Sequence, residues 1–175
     1  WSSDVCSSDL GTRLMEETHA RPKPMVLIDE EPILIKIIHH YVKSGCTKIV
    51  ICGGYLVETI EKYFETIKTI KSKLKIVDGV LYEIKIFQTS VKVFIMNTGE
   101  KTSTGGRIKH IESLIENNNF FCTYGDGISN LKLDLLRRFH LSKGKVTTLT
   151  AVQPLNRFGV LEIKNGYRVK SFSEK

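Results

Sequence analysis

Three short loops hold side chains whose types and spacing could do phosphate chemistry. In "GTRLMEETHARPKPM", residues 11–25, Gly11 permits a tight turn and Arg13 offers a two-pronged guanidinium fork to phosphate. Pro22 and Pro24 hold Lys23 in a restrained, extended segment, although a proline-flanked lysine taken alone is more often an exposed loop residue. In "TSTGGR", residues 102–107, Gly105 and Gly106 precede a helix whose first amides could receive an oxyanion or a sugar hydroxyl; a plain helix start fits equally well. In "TYGDGI", residues 123–128, Asp126 stands between two glycines just after an apolar run. Mg²⁺ favours one or two carboxylates completed by phosphate oxygens, and Asp-Gly is also a common turn dipeptide, so spacing leaves metal binding and a plain turn evenly balanced.

These loops need a frame, and the pattern between them supplies one. "PILIKIIHHYVKSG" places Pro32 in a first helical turn, lines up Leu34, Ile37, Ile38 and Tyr41 on one face, and stops at Gly45. "KIVIC", Lys48 to Cys52, is a β-branched run without alternation, as expected of a parallel strand covered on both faces. A second helix is expected from Val57 to about Lys68, and "LYEIKIF" and "VKVFIM" are the best strand candidates between Lys75 and Asn97. "GGRIKHIESLIENNN" predicts a helix with Ile108, Ile111, Leu114 and Ile115 inward, "FFCTY" a buried strand, and "LKLDLLRRFHLSKG" a helix ending at Gly144. "VTTLTAV" is read as a further strand, and "FGVLEI" with "YRVKSFS" as a hairpin joined through "KNGY". In sum this is a three-layer α/β domain on a mostly parallel sheet, whose ligands belong where strands end and loops begin.

Composition removes several function classes. With 41% hydrophobic residues the chain can build a core, and no apolar run approaches the roughly 18 to 20 residues that span a bilayer. The expected setting is the cytoplasm. Cys6, Cys46, Cys52 and Cys122 lack CxxC spacing, and Cys52 and Cys122 lie in apolar runs, so buried reduced thiols are expected rather than disulfides or zinc. The net charge of +7 admits an anionic partner, yet the one dense basic run, "KTIKSKLK" (Lys68 to Lys75), has no interleaved aromatics and is read as a solvated helix end or loop. No nucleic-acid or membrane partner is expected; a nucleotide or sugar phosphate needs fewer, better-placed cations.

Taken together, "LGTRLMEETHARPKPMV", "GGY", "TGGR", "TYGDG", "RFGVLEI" and "SFSEK" resemble the sugar nucleotidyltransferases, over residues 10–175. "EET" in the first motif and "TYGDG" favour the glucose-1-phosphate cytidylyltransferase branch, which makes CDP-glucose and pyrophosphate from CTP and glucose 1-phosphate. The resemblance implies a Rossmann-like nucleotidyltransferase fold, Mg²⁺ as cofactor, a homo-oligomeric full-length protein and a place in polysaccharide (O-antigen) biosynthesis. Leu10, Gly11, Thr12 and Arg13 would be the surviving half of a nucleotide-binding glycine loop, with Arg13 on the triphosphate. Lys23 would contact the reacting phosphates, Thr102 and Arg107 would lie in the nucleotide and substrate pocket, and Gly125 with Asp126 would stand at the nucleotide and Mg²⁺. His19, His39, His40, His110 and His140 match no catalytic role.

The chemistry implied is in-line attack of the sugar-phosphate oxygen on the α-phosphorus of CTP. It needs positioning and positive charge rather than a protein nucleophile. Where the family places its first strand and glycines, this sequence has "WSSDVCSSD", with four serines, two aspartates and few apolar residues. That does not read as a central strand, and Asp9 would face triphosphate oxygens. The expectation is that residues 1–9 are foreign, from a cloning, sequencing or assembly junction, with the first strand missing or replaced. Residues 10–175 are then expected to form a nucleotidyltransferase domain truncated at its C-terminus, before a second metal-binding aspartate, and to turn over little by themselves. Another sugar-1-phosphate nucleotidyltransferase (thymidylyl or uridylyl) and a non-catalytic sugar-nucleotide-binding module remain as alternatives.

Overall fold

A computed structural model describes residues 2–4, 21–115, 119–152 and 160–173. The chain divides into two compact units, Trp1–Leu131 and Lys132–Lys175.

The first unit is built on a six-stranded sheet in the order β5-β6-β7-β4-β1-β8. Its strands are β1 (Ser2–Asp4), β4 (Lys48–Gly53), β5 (Ile70–Ile76), β6 (Gly79–Ile86), β7 (Thr89–Asn97) and β8 (Phe120–Cys122); β2 (Leu27–Ile28) and β3 (Glu31–Pro32) pair separately. The β7–β4, β4–β1 and β1–β8 pairs are parallel, and β5–β6 and β6–β7 are antiparallel. Side chains alternate across this sheet, so one strand feeds two cores. On one face Ile49 and Ile51 of β4 and Val91, Val93 and Ile95 of β7 pack with helices α1 (Ile33–Lys43) and α2 (Val57–Glu65). On the other, Val50, Cys52, Phe94 and Met96 pack with Ile111 and Ile115 of the α3 (Thr104–His110) and α4 (Glu112–Ile115) segment. Helices therefore cover both faces, which is the expected three-layer α/β architecture.

The order of those helices locates the site. The connections into β4 and β7 carry α1 and α2 on one face, whereas the connection from β7 to β8 carries α3 and α4 on the other. The crossover direction reverses between β1 and β8, and ligands of open α/β sheets bind beyond the carboxyl ends of the strands at such a reversal. The loop after β8 is the one that contains Asp126.

Several expectations need correction. Ser2–Asp4 forms a central strand, with Ser3 opposite Ile49 on one side and Phe121 on the other. A three-residue strand is held by backbone hydrogen bonds that any extended sequence can make, so its polar composition misleads. The Lys68–Lys75 run is chiefly the edge strand β5: Lys71, Lys73 and Lys75 are exposed, Lys73 pairs with Glu65, and such lysines keep an edge from pairing with other chains. Residues 146–152 lie in no strand; Val146, Leu149 and Val152 are exposed, because β propensity without a neighbouring strand makes no sheet. β8 stands at the sheet's other edge, so Phe120 and Phe121 are half-buried and Cys122 is exposed, whereas Cys46 and Cys52 are buried as expected. The helix over 105–119 breaks at Ile111, and α2 ends at Glu65.

The second unit holds α5 (Leu133–Lys143), closed by Gly144 at φ 55°, and the hairpin β9 (Val160–Lys164) and β10 (Arg168–Ser173). The "KNGY" segment joins the two strands as expected: Lys164 pairs with Arg168 across a three-residue loop in which Asn165 and Gly166 take positive φ, 55° and 73°.

Candidate active site

Lys23 begins a short 3-10 turn, Lys23–Met25, and its prolines explain its placement. Pro22 is extended at φ −65° and ψ 147°, its carbonyl accepts from Met25 N–H at 2.8 Å, and Val26 N–H donates to the Lys23 carbonyl at 3.1 Å. Pro22, Pro24 and Met25 are buried, so the backbone on either side of the lysine is anchored. Gly125 is buried in the turn after β8, where Gly127 N–H reaches the Tyr124 carbonyl at 3.4 Å. The two turns bring Lys23 Nζ within 4.0 Å of Asp126 Oδ2, with the lysine side chain 11% exposed and the aspartate 42%.

Arg107 is committed to the ends of two strands. Its guanidinium donates to the Gly53 carbonyl at 3.0 Å, to Thr98 Oγ1 at 2.6 Å and to the Glu100 carbonyl at 3.2 Å. Thr98 donates to the same Gly53 carbonyl through both its amide, at 2.9 Å, and its hydroxyl, at 2.8 Å. Gly53 ends β4 opposite Asn97, which ends β7, so this clamp ties together two loops on the carboxyl edge of the sheet. Gly54 makes room for it, since a Cβ there would lie 2.6 Å from Arg107 Nη2, and Gly53 makes room for α2, since a Cβ there would lie 2.2 Å from Val57 Cγ2. Thr102 sits in the same loop, where a Cβ on Gly99 would come 2.8 Å from its Oγ1. Gly106 N–H meets Ser103 Oγ at 3.4 Å, so α3 starts with its own serine cap.

Thus the structure brings together Lys23 and Asp126, and separately Thr102 and Arg107 with the Gly53–Thr98 clamp. Leu10, Gly11, Thr12, Arg13, Cys6 and His19 lie outside the described residues. Thr98 is the residue that sequence reasoning missed; its signal was "NTGE" directly after a buried strand, a polar group forced into the core at 3% exposure. The described histidines that have partners face neighbours of their own: His39 Nδ1 stands 3.7 Å from Glu31, His110 Nε2 3.4 Å from Asp78, and His140 Nδ1 2.9 Å from Thr148 Oγ1. Burial pushes the His39 imidazole below its ordinary value; Glu31 opposes this, and Lys43 and Lys36 add to it. A cavity of about 290 Å³ between α1, α2 and β6, lined by Ile35, His39, Tyr63 and Phe87 among others, shares no residue with the Lys23–Asp126 pair.

The arrangement suits phosphate and a hard cation. Lys23 is a compact positive charge on a flexible stem, able to follow a phosphate oxygen. Among the described residues no group of three or more His, Cys, Asp or Glu could hold a metal ion. A single carboxylate beside a lysine ammonium fits an ion such as Mg²⁺, which takes most of its ligands from substrate oxygens and water.

Comparison with known proteins bears on the chain as a whole. The family model described as nucleotidyl transferase matches residues 10–175. The glucose-1-phosphate cytidylyltransferase of Salmonella typhimurium is 37% identical over 175 residues, which cover 98% of this chain and 67% of that protein. A probable glucose-1-phosphate cytidylyltransferase of Bacillus subtilis is 34% identical, over 94% of this chain and 65% of its own length. The chain spans about two thirds of the length of these curated relatives. Among solved structures, HddC from Yersinia pseudotuberculosis complexed with GMP-PN superposes at a TM-score of 0.73 with 24% identity, covering all of this chain and 69% of that one. A UDP-glucose pyrophosphorylase complexed with UDP-glucose gives 0.63 at 18% identity, with the same coverage. The two structures share the fold.

Proposed function

The chain belongs to the nucleotidyl transferase family, and on that premise we propose that it carries the site for moving a cytidylyl group from CTP to glucose 1-phosphate. The observation that supports this reading most directly is the Lys23–Asp126 pair, 4.0 Å apart beside the point where the sheet reverses direction.

A phosphate oxygen of glucose 1-phosphate attacks the α-phosphorus of CTP. A new oxygen–phosphorus bond forms as the bond to the β-phosphate oxygen breaks, and pyrophosphate leaves with the electron pair. The nucleophile is already an anion at neutral pH, so no protein base has to remove a proton. What the chain contributes is position and charge. Lys23 neutralises phosphate oxygens as negative charge redistributes, and Arg13 is assigned to the triphosphate. Arg107 and Thr98 hold the loops after β4 and β7, and Thr102, beside Gly99 in the second of these loops, is assigned to the wall of the substrate pocket. Asp126 would hold Mg²⁺, which when bound offers Lewis acidity toward the phosphoryl oxygens and the leaving pyrophosphate.

Cytidine specificity, a homo-oligomeric assembly and a cytoplasmic setting are parts of the proposal; among the described residues no helix is long and apolar enough to cross a membrane. Relatives at 27% identity include mannose-1-phosphate guanylyltransferases, so the base is the feature to test first. Backbone amide NMR of the chain, titrated with CTP, GTP, UTP and dTTP in the presence of Mg²⁺, reports even weak binding. Shifts should concentrate at residues 21–26 and 123–127 and be largest with CTP. Equal responses to all four nucleotides would remove the cytidylyl assignment, and responses that bypass both segments would remove the site.

A further inference from the structure

The two charged groups of the site face each other in the free chain. Lys23 Nζ lies 4.0 Å from Asp126 Oδ2, beyond direct hydrogen-bond reach yet close enough for charge attraction. The lysine is the more enclosed partner, at 11% exposure against 42% for the aspartate. With Pro22 and Pro24 buried and Met25 N–H bonded to the Pro22 carbonyl, the backbone is anchored, so the ammonium leaves Asp126 chiefly by rotation of its own four-carbon stem.

A divalent cation bound directly to Asp126 would sit about 2.1 Å from a carboxylate oxygen if it were Mg²⁺, which puts two positive charges within a few ångströms of a third. The carboxylate cannot serve both cations at full strength. A triphosphate changes this balance, because it offers the ammonium stronger anionic oxygens and brings the metal most of its remaining ligands. Lysine suits such an exchange better than arginine, whose rigid fork would grip the carboxylate with two hydrogen bonds.

We propose that Lys23 is the resident counter-ion of Asp126, that it keeps free divalent cations off this carboxylate, and that a nucleotide opens the metal site by drawing the ammonium to its phosphates. Nucleotide and metal then enter as one unit, and metal alone does not load the site. The inference rests on the phosphoryl-transfer reading above and adds to it the order of assembly.

The test needs no turnover. Mn²⁺, a hard divalent probe whose free aqueous ion gives a six-line electron paramagnetic resonance signal, is titrated into the 175-residue chain without nucleotide. The wild type should bind it weakly. Lys23→Met, which keeps the length of the side chain and removes the charge, should bind Mn²⁺ about tenfold more tightly. The gain should vanish in Lys23→Met/Asp126→Asn; Lys23→Gln replaces the methionine variant if circular dichroism shows that it does not fold. Equal affinity in the wild type and the neutral variant, or a gain that survives the loss of Asp126, overturns the counter-ion role. A parallel titration with CTP separates this result from the parent reading. If CTP confers Asp126-dependent Mn²⁺ binding and Lys23→Met adds nothing without it, the exchange fails while the metal assignment stands. If neither CTP nor Lys23→Met produces Asp126-dependent binding, both fail.

Discussion

Lys23 and Asp126 stand out from the chain's other charged residues because of their neighbours. Prolines restrict the backbone around one, glycines allow a tight turn around the other, and the structure brings the pair within 4.0 Å. Arg107 was visible because it follows two glycines, but its role depends on Gly53, Thr98 and Glu100, whose proximity only the fold creates. No residue type announces that an arginine will be buried at 3% exposure. His39 likewise has no catalytic spacing, yet its environment makes a measurable prediction. Burial first, then Lys43 and Lys36, lower its pKa against the opposing pull of Glu31, so the folded chain holds a proton there less readily than the unfolded chain. The stability from this site is fully present above the unfolded histidine value, near pH 6.5, and is lost as pH falls through that value toward the depressed folded one. Urea midpoints measured from about pH 7 to about pH 5 should therefore fall less steeply for His39→Gln than for the wild type. Parallel curves for the two proteins would mean that His39 titrates alike in both states.

Elements that bury an apolar face were legible, and those defined by their partners were not. The helix over Ile33–Lys43 and the strands at 79–86 and 89–97 follow from apolar patterning and the strand at 48–53 from its unbroken β-branched run, because each puts Ile, Val or Phe into one or both of two cores. β1 and β5 escaped because one is polar and central and the other is a lysine-rich edge; for both, backbone pairing decides. The stretch at 146–152 has strand-like residues and no partner strand among the described residues. The same dependence on partners governs the Arg107 clamp, which joins the ends of β4 and β7. Its acceptors are two carbonyls and a hydroxyl, and no carboxylate pairs with it among the described residues, so its value lies in the geometry of several bonds at once. Arg107→Lys cannot reach all three acceptors and should lower stability by about 1–3 kcal/mol. Lys109→Ala, which removes an exposed pair with Glu112 across the break between α3 and α4, should change it by under about 0.5 kcal/mol. Chemical denaturation of the two variants decides the matter: equal losses would show that the clamp contributes no more than a surface ion pair.

Across the whole chain, the distribution of buried side chains predicts where cooperative stability resides. In Trp1–Leu131, buried residues from α1, α2, β4, β6 and β7 form one cluster, and those from β4, β7 and the α3–α4 segment form another. In Lys132–Lys175, Leu133 is the one buried hydrophobic residue among those described, while Leu135, Phe139, Leu141, Ile163, Tyr167, Val169 and Phe172 are exposed. The contacts within that second unit are largely polar or cation–π: Lys170 with Glu162 at 2.6 Å, His140 with Thr148, and Lys143 Nζ 4.3 Å from the centre of the Tyr167 ring. Exposed contacts of this kind contribute little each, whereas opening the first unit exposes two apolar clusters together. Native-state hydrogen exchange should therefore be uneven. Amides of β4, β6 and β7 should exchange only on global unfolding, and those of α5 and the β9–β10 hairpin should exchange orders of magnitude faster through local opening. Low denaturant should speed the first group steeply and leave the second nearly unchanged, because little apolar surface is uncovered when the second unit opens. If both units exchange at one rate with one denaturant dependence, the chain unfolds as a single cooperative body, and the division read from its buried residues is energetically irrelevant.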